Sequence, residues 1–254
     1  MSQSRRTSYG VLAACIFMII MNGLSSAGVL GWRTLEDISY SNTQIIVPAS
    51  YTFAIRWVIY LWLLAFSIYQ LRKHDGIEEK LSYIRPLLIV NFIANGLWLP
   101  FATATLQTWS PITVVLIGIM WITMRYTVNF ISEKTHNINY KLYMITPLSI
   151  YYGWLTIATP LNIATVTAQL WYPQVIQTIP WILLWIGIWY ITSIAVFHRI
   201  SNISYICVIL RALVWLIVAR WNDTPKLVLI YILLIFITFL IILFRTIKKK
   251  VYIQ

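Results

Sequence analysis

The chain has 254 residues, of which 60% are hydrophobic and only 10% charged, where soluble domains carry about a quarter charged residues. That balance excludes a water-soluble globular domain and describes an all-α integral membrane protein. A net charge of +12 would fit a nucleic-acid partner if the cations shared one soluble surface, but they sit in the loops and ends of apolar segments, where they set topology instead.

Crossing a hydrocarbon core of about 30 Å takes about 20 apolar residues. Eight such runs occur, near residues 9–31, 47–71, 85–106, 110–131, 142–168, 178–197, 204–221 and 226–246. Their continuity excludes the alternation that barrel strands need. Fourteen cations, from Arg5 and Arg6 through Arg72, Arg85, Arg125 and Arg199 to the terminal lysine run, flank one set of loops and both termini, against Arg33, Arg220 and Lys226 on the other side. This asymmetry predicts both termini in the cytoplasm, with an even number of crossings. The lysine run at 248–250 holds that end inside and can attract anionic lipid headgroups.

In chain order, SRR followed by an apolar run and LSSAG has the outline of a secretory signal. Apolar character continues to Trp32, so the first helix is expected to remain uncleaved. Glu36 and Asp37 fall in a polar external connection. The second helix is expected to start at Pro48 and to place Phe53, Trp57, Tyr60 and Leu64 on one face. Arg56 lies about two turns in, where a charge faces protein, water or an anionic ligand, or else snorkels to the near surface.

The third helix sets Asn91, Asn95 and Trp98 at i, i+4 and i+7, a polar and aromatic stripe whose amides need partners at membrane depth. The fourth, Pro111 to Ile131, reads as plain apolar scaffold. The fifth contains the least lipid-like stretch of the chain, PLSIYYGWLTIATPLN. There Tyr151, Trp154, Ala158 and Asn162 share a face: two aromatics, a small gap and an amide. That face is expected to look inward, either to receive a flat ligand or to make a tight helix contact filled by aromatics.

Further on, Trp181, Trp185 and Trp189 form a stripe on the sixth helix, and Trp171 precedes them. Arg211 lies inside the seventh, and no acid falls within any span to pair with it. Cys15 and Cys207 lie in apolar runs and read as packing residues, not as a disulfide or thiolate site. His74, His136 and His198 have no ligand spacing, so no metal is expected. The chain has no embedded carboxylate relay, phosphate-binding glycine loop, metalloprotease helix motif or nucleophile elbow. No cofactor is expected, and the protein is expected not to be an enzyme.

Three blocks in register carry a resemblance: Pro48 with Trp57; Asn91, Asn95 and Trp98; and Tyr151, Trp154, Ala158, Thr159 and Asn162. Together they resemble the tryptophan-rich sensory proteins, relatives of the mitochondrial translocator protein. The resemblance implies a five-helix bundle over residues 1–170, with residues 171–254 as a three-helix C-terminal extension of the kind found in longer bacterial members. It implies a bacterial cytoplasmic membrane, frequent homodimers, and a pocket for porphyrins and other flat hydrophobic molecules, used in tetrapyrrole transport or stress sensing. Trp57, Asn95, Trp98, Tyr151, Trp154, Ala158 and Asn162 would line it, with Arg56 as a charged contact.

The sequence departs from that family at the start of the second helix, where Ile46, Val47, Pro48 and Ala49 replace a Trp-Thr-Pro-Pro pattern, and at Arg56 and Pro160. Two other classes stay open: a transporter or channel for a small anionic or amphipathic solute using Arg56 and Arg211, and an enzyme acting on a bound tetrapyrrole or polyene.

Overall fold

A computed structural model describes residues 3–29, 55–72, 77–104, 110–131, 137–171, 178–200, 202–222 and 224–251. Eight long helices run through them: α1 (Gln3–Ser26), α2 (Ile55–Tyr69), α3 (Glu78–Thr103), α4 (Ser110–Ile131), α5 (Thr146–Trp171), α6 (Ile179–Ile200), α7 (Ile203–Arg220) and α8 (Lys226–Val251). A single turn, Ile138–Tyr140, and a π-helical stretch, Lys141–Ile145, lead into α5. The expected external connection with Glu36 and Asp37 lies outside the described residues, as does the segment from Ile46 to Phe53.

The helices match the apolar runs because only a helix satisfies every backbone group internally without water. Five of them, α1, α3, α4, α6 and α8, are long and apolar enough to cross a membrane, and α2 and α7 are apolar but shorter. The close succession of α6 and α7 needs a clean stop between them. Asn202 supplies it, accepting from the Ser204 amide at 2.8 Å as the cap of α7. The outward faces are apolar, with Leu61 on α2, Ile191 on α6 and the run Ile230, Leu234, Ile237 and Ile241 on α8 all exposed. Such stripes belong against lipid chains.

Helices α1 to α5 close a ring. α1 packs on α2 and α3, α3 on α4, α4 on α5, and α5 on α2. Lipid is as apolar as leucine, so helices associate in it by close packing and interhelical hydrogen bonds. Gly96 shows the packing: a Cβ there would come within 2.7 Å of the Phe17 ring and 3.2 Å of the Met18 Cα, so α1 lies almost on the α3 backbone. Outside the ring, α6 and α7 pack on α5, and α8 packs on both of them. Gly153 lets α7 approach, since a Cβ would meet Val208 at 3.2 Å and the Tyr205 carbonyl at 3.3 Å. α5 therefore serves both groups of helices.

Three sequence expectations are corrected here. Arg85 does not merely flank a loop: it is buried and ion-paired with Glu78 at 2.6 Å, and it donates to the Gln70 side chain at 2.9 Å. Gln70 in turn donates to the Ser8 carbonyl at 2.8 Å, so one polar cluster ties together α1, the end of α2 and α3. Cys207 is exposed on α7 and is not a packing residue, whereas Cys15 is buried. The fourth helix is more than apolar scaffold, because its threonines bond to both neighbouring helices.

Candidate functional site

A single hydrogen-bonded network crosses the ring interior and touches all five helices. It begins at Asn22 on α1, whose amide donates to the Met18 carbonyl at 2.9 Å and to Asn95 Oδ1 at 3.1 Å. The Tyr60 hydroxyl on α2 is shared between Asn22 Oδ1 at 3.0 Å and Asn95 Oδ1 at 3.2 Å. Asn95 on α3 donates to the Tyr151 hydroxyl on α5 at 2.7 Å. The Tyr151 hydroxyl in turn donates to Asn91 Oδ1 at 2.9 Å. Asn91 then donates to the Met120 carbonyl at 2.7 Å and to Thr123 Oγ1 at 2.8 Å on α4.

Asn22, Tyr60, Asn91, Asn95 and Tyr151 are each no more than 5% exposed, and an amide or phenol that deep requires a partner. The network meets that need with its own members. It also has a direction: each donor's acceptor is the next donor, from Tyr60 through Asn95, Tyr151 and Asn91 to Thr123. Hydrogen bonds chained this way polarise and strengthen one another in a low-dielectric interior.

The residues singled out from sequence fall into three groups. Asn95 and Tyr151 are bonded to each other at the centre. Asn162, lower on the same α5 face, is half-buried and accepts from Thr113 on α4 at 3.3 Å; Ala158 and Trp154 beside it are also half-buried. Trp57 stands at the rim, 39% exposed, with its ring edge-on to Tyr60 at 6.0 Å. Arg56, one turn before Tyr60, is buried at 8% exposure.

Two polar groups on these stripes are unmatched. The Trp98 indole N–H and the Thr159 hydroxyl are buried without a hydrogen-bond partner. Trp98 follows Asn95 by three residues, so the two share a face of α3. An indole can only donate, so an acceptor-bearing molecule among these residues would satisfy it.

Sequence reasoning missed Asn22, Tyr60 as a polar group, and Thr123. Asn22 was legible as the one amide in the apolar run of the first helix. Tyr60 stood on an aromatic stripe, where only its ring was weighed. Nothing in the sequence pointed Thr123 at Asn91.

No curated protein and no solved structure matches this chain. One family model, described as TSPO-like protein, matches residues 8–244, from the first turns of α1 deep into α8, and so runs through the ring and the three outer helices alike. With its apolar helices and that match over nearly its whole length, the chain is an integral membrane protein and belongs to the TSPO-like protein family.

Proposed function

We propose that the protein binds a flat, hydrophobic, porphyrin-like molecule within the five-helix ring and serves as a membrane sensor or carrier for it, without chemical turnover. The observation that carries this reading is the unpartnered Trp98 indole one turn from the Asn95–Tyr151 bond. A donor left unmet at that depth costs free energy that a ligand acceptor would recover. Trp57, Trp154, Ala158 and Asn162 would bound the plane of the ligand, and Arg56 would meet a carboxylate at its edge.

The test is a thermal-shift measurement on purified protein with protoporphyrin IX, haem precursors, carotenoids and sterols. A ligand at about 100 times its Kd stabilises the folded state by about 2.7 kcal/mol. Porphyrins, those among the haem precursors included, should raise the unfolding temperature, and carotenoids and sterols should not. No shift with any porphyrin would count against the reading.

The buried charge of Arg56 favours one second reading, a transporter or channel for a small anionic solute. Uptake into reconstituted vesicles separates the two: a transporter or channel for small anions moves a labelled small anion in proportion to protein, and a porphyrin sensor or carrier does not.

A further inference from the structure

We propose that α4, α5 and α6 together form a phosphate-binding site at the end of the bundle where α6 stops and α7 starts, built from the guanidiniums of Arg125 and Arg199 and the hydroxyl of Tyr152. None of the three belongs to the ring network, so the site is separate from the one described above.

Tyr152 is its fixed point. The ring packs against Trp121 of α4, with centroids 6.0 Å apart, and against Tyr205 in the first turn of α7, 6.1 Å apart. The residue is only 1% exposed, yet its hydroxyl makes no hydrogen bond with any described residue. A phenol buried to that extent needs a partner. A long side chain on a helix reaches back over the preceding turn, and there Ser149 is also buried, its hydroxyl also without a partner. Both hydroxyls can donate. One face of α5 therefore offers two unused donors.

The charges come from the neighbouring helices. Arg125 follows Trp121 by one turn on α4, and its guanidinium carbon lies 5.8 Å from the centre of the indole ring. That cation–π contact holds it beside the indole that packs on Tyr152. Arg199 stands in the last turn of α6, which touches α4. Both guanidinium charges act on the Tyr152 hydroxyl, so they converge on one phenol from two helices. Neither is ion-paired among the described residues. Two like charges drawn together without an acid repel, and an anion between them reverses the sign of that interaction.

Position selects the anion. Arg125 is half-buried and Arg199 exposed, so the site opens at the helix ends, the level at which lipid phosphates sit. Guanidinium forks match phosphate oxygens, and basic pockets between spanning helices take anionic headgroups. A water-borne phosphate ester offers the same chemistry, and the test separates the two sources.

Full-length protein in dodecyl maltoside is titrated, with thermal unfolding as readout, against dioleoylphosphatidylglycerol, its zwitterionic counterpart dioleoylphosphatidylcholine, and glycerol 3-phosphate. The anionic lipid should bind about five-fold or more tighter than the zwitterionic one. The Arg125→Gln, Arg199→Gln pair should weaken it about twenty-fold, while Arg245→Gln with Lys248→Gln, which removes the same charge from exposed positions at the end of α8, should leave it unchanged. Tyr152→Phe should weaken it about three-fold without lowering the unfolding temperature of the free protein, because the hydroxyl bonds nothing there. Glycerol 3-phosphate binding as tightly as the lipid makes the ligand a water-borne ester; binding of the lipid alone makes it a headgroup. Should the arginine pair fail to fold, Arg199→Gln alone, at an exposed position, should weaken binding about five-fold. The proposal is overturned by an anionic lipid that binds no tighter than the zwitterionic one with no response to glycerol 3-phosphate, by an equal loss in the α8 pair, or by a Tyr152→Phe variant that binds as wild type does.

Discussion

Asn95 on α3 and Tyr151 on α5 are bonded at 2.7 Å although their helices are not neighbours in the ring. The bond crosses the interior, so it reports how tightly the ring is closed. A ligand lying across the interior must part these two side chains or fit beside them. Either way, the network's stability and the ligand's affinity are coupled.

The first prediction follows from that bond. Tyr151→Phe removes the acceptor of Asn95 and the donor to Asn91 while keeping the ring volume. Interhelical hydrogen bonds in membranes are worth about 0.6 to 2 kcal/mol, so the variant should lose about 1 to 2 kcal/mol of unfolding free energy in a denaturant titration in micelles. Asn95→Leu also severs the contacts to Asn22 and Tyr60 and should lose more. Equal stability of both variants and wild type would show that the network contributes nothing to closing the ring.

How much of this was legible beforehand depended on the kind of signal. Spans were legible because crossing a membrane demands length and apolarity, which are local properties: the run near 226–246 became α8, and the short break after His198 became a capped stop at Asn202. Of the α5 stripe read from spacing, Tyr151 is fully buried at the centre of the network, while Trp154, Ala158 and Asn162 are half-buried. Partners were not legible. Arg85 reads as a flanking charge until Glu78, two turns earlier, and Gln70, at the end of another helix, are brought to it. Pro160 reads as an irregularity in the fifth helix, and only the packing of α6 and α7 makes it the wall of a groove.

A second prediction concerns that cluster. Glu78→Gln removes the counter-charge of a guanidinium that is 2% exposed, and leaving a buried charge without its partner is destabilising by about 3 to 5 kcal/mol where burial is complete. Glu78 itself is 38% exposed, so solvent screening brings the expected loss nearer 1 to 2 kcal/mol. Replacing both partners, Glu78→Gln with Arg85→Met, should recover part of it in the same titration. A double variant less stable than Glu78→Gln alone would contradict this account of the cluster.

Topology supplies a third. Fourteen cations against three predict that both termini lie in the cytoplasm. Reporter fusions at the two ends should therefore agree and report the cytoplasmic side. An N-terminal tag that is lost, or that reports the outer side, would show that the first helix is cleaved or that the count of crossings is odd.

Arg56 supplies the fourth. If its buried charge meets an anionic group of the ligand, Arg56→Leu should weaken a porphyrin dicarboxylate at least ten-fold more than the matching dimethyl ester, since a charge-assisted hydrogen bond is worth about 1.5 to 3 kcal/mol. Equal weakening of acid and ester, read by fluorescence titration, would assign Arg56 to packing or to the membrane surface.

The measurement that bears most directly on the central claim, a flat ligand held in the five-helix ring, is quenching of tryptophan fluorescence by protoporphyrin IX. Trp57 approaches the network through its edge contact with Tyr60, and Trp154 follows Tyr151 by three residues on α5, so both flank the proposed plane of the ligand. Aromatic stacking adds about 0.5 to 1.5 kcal/mol beyond area burial, so each tryptophan contributes a few-fold in affinity. Wild-type protein should bind saturably with strong quenching, and the Trp57→Phe, Trp154→Phe double variant, still folded, should bind more weakly and lose much of the quenching. A folded double variant that binds with unchanged affinity and is quenched as before would contradict the account.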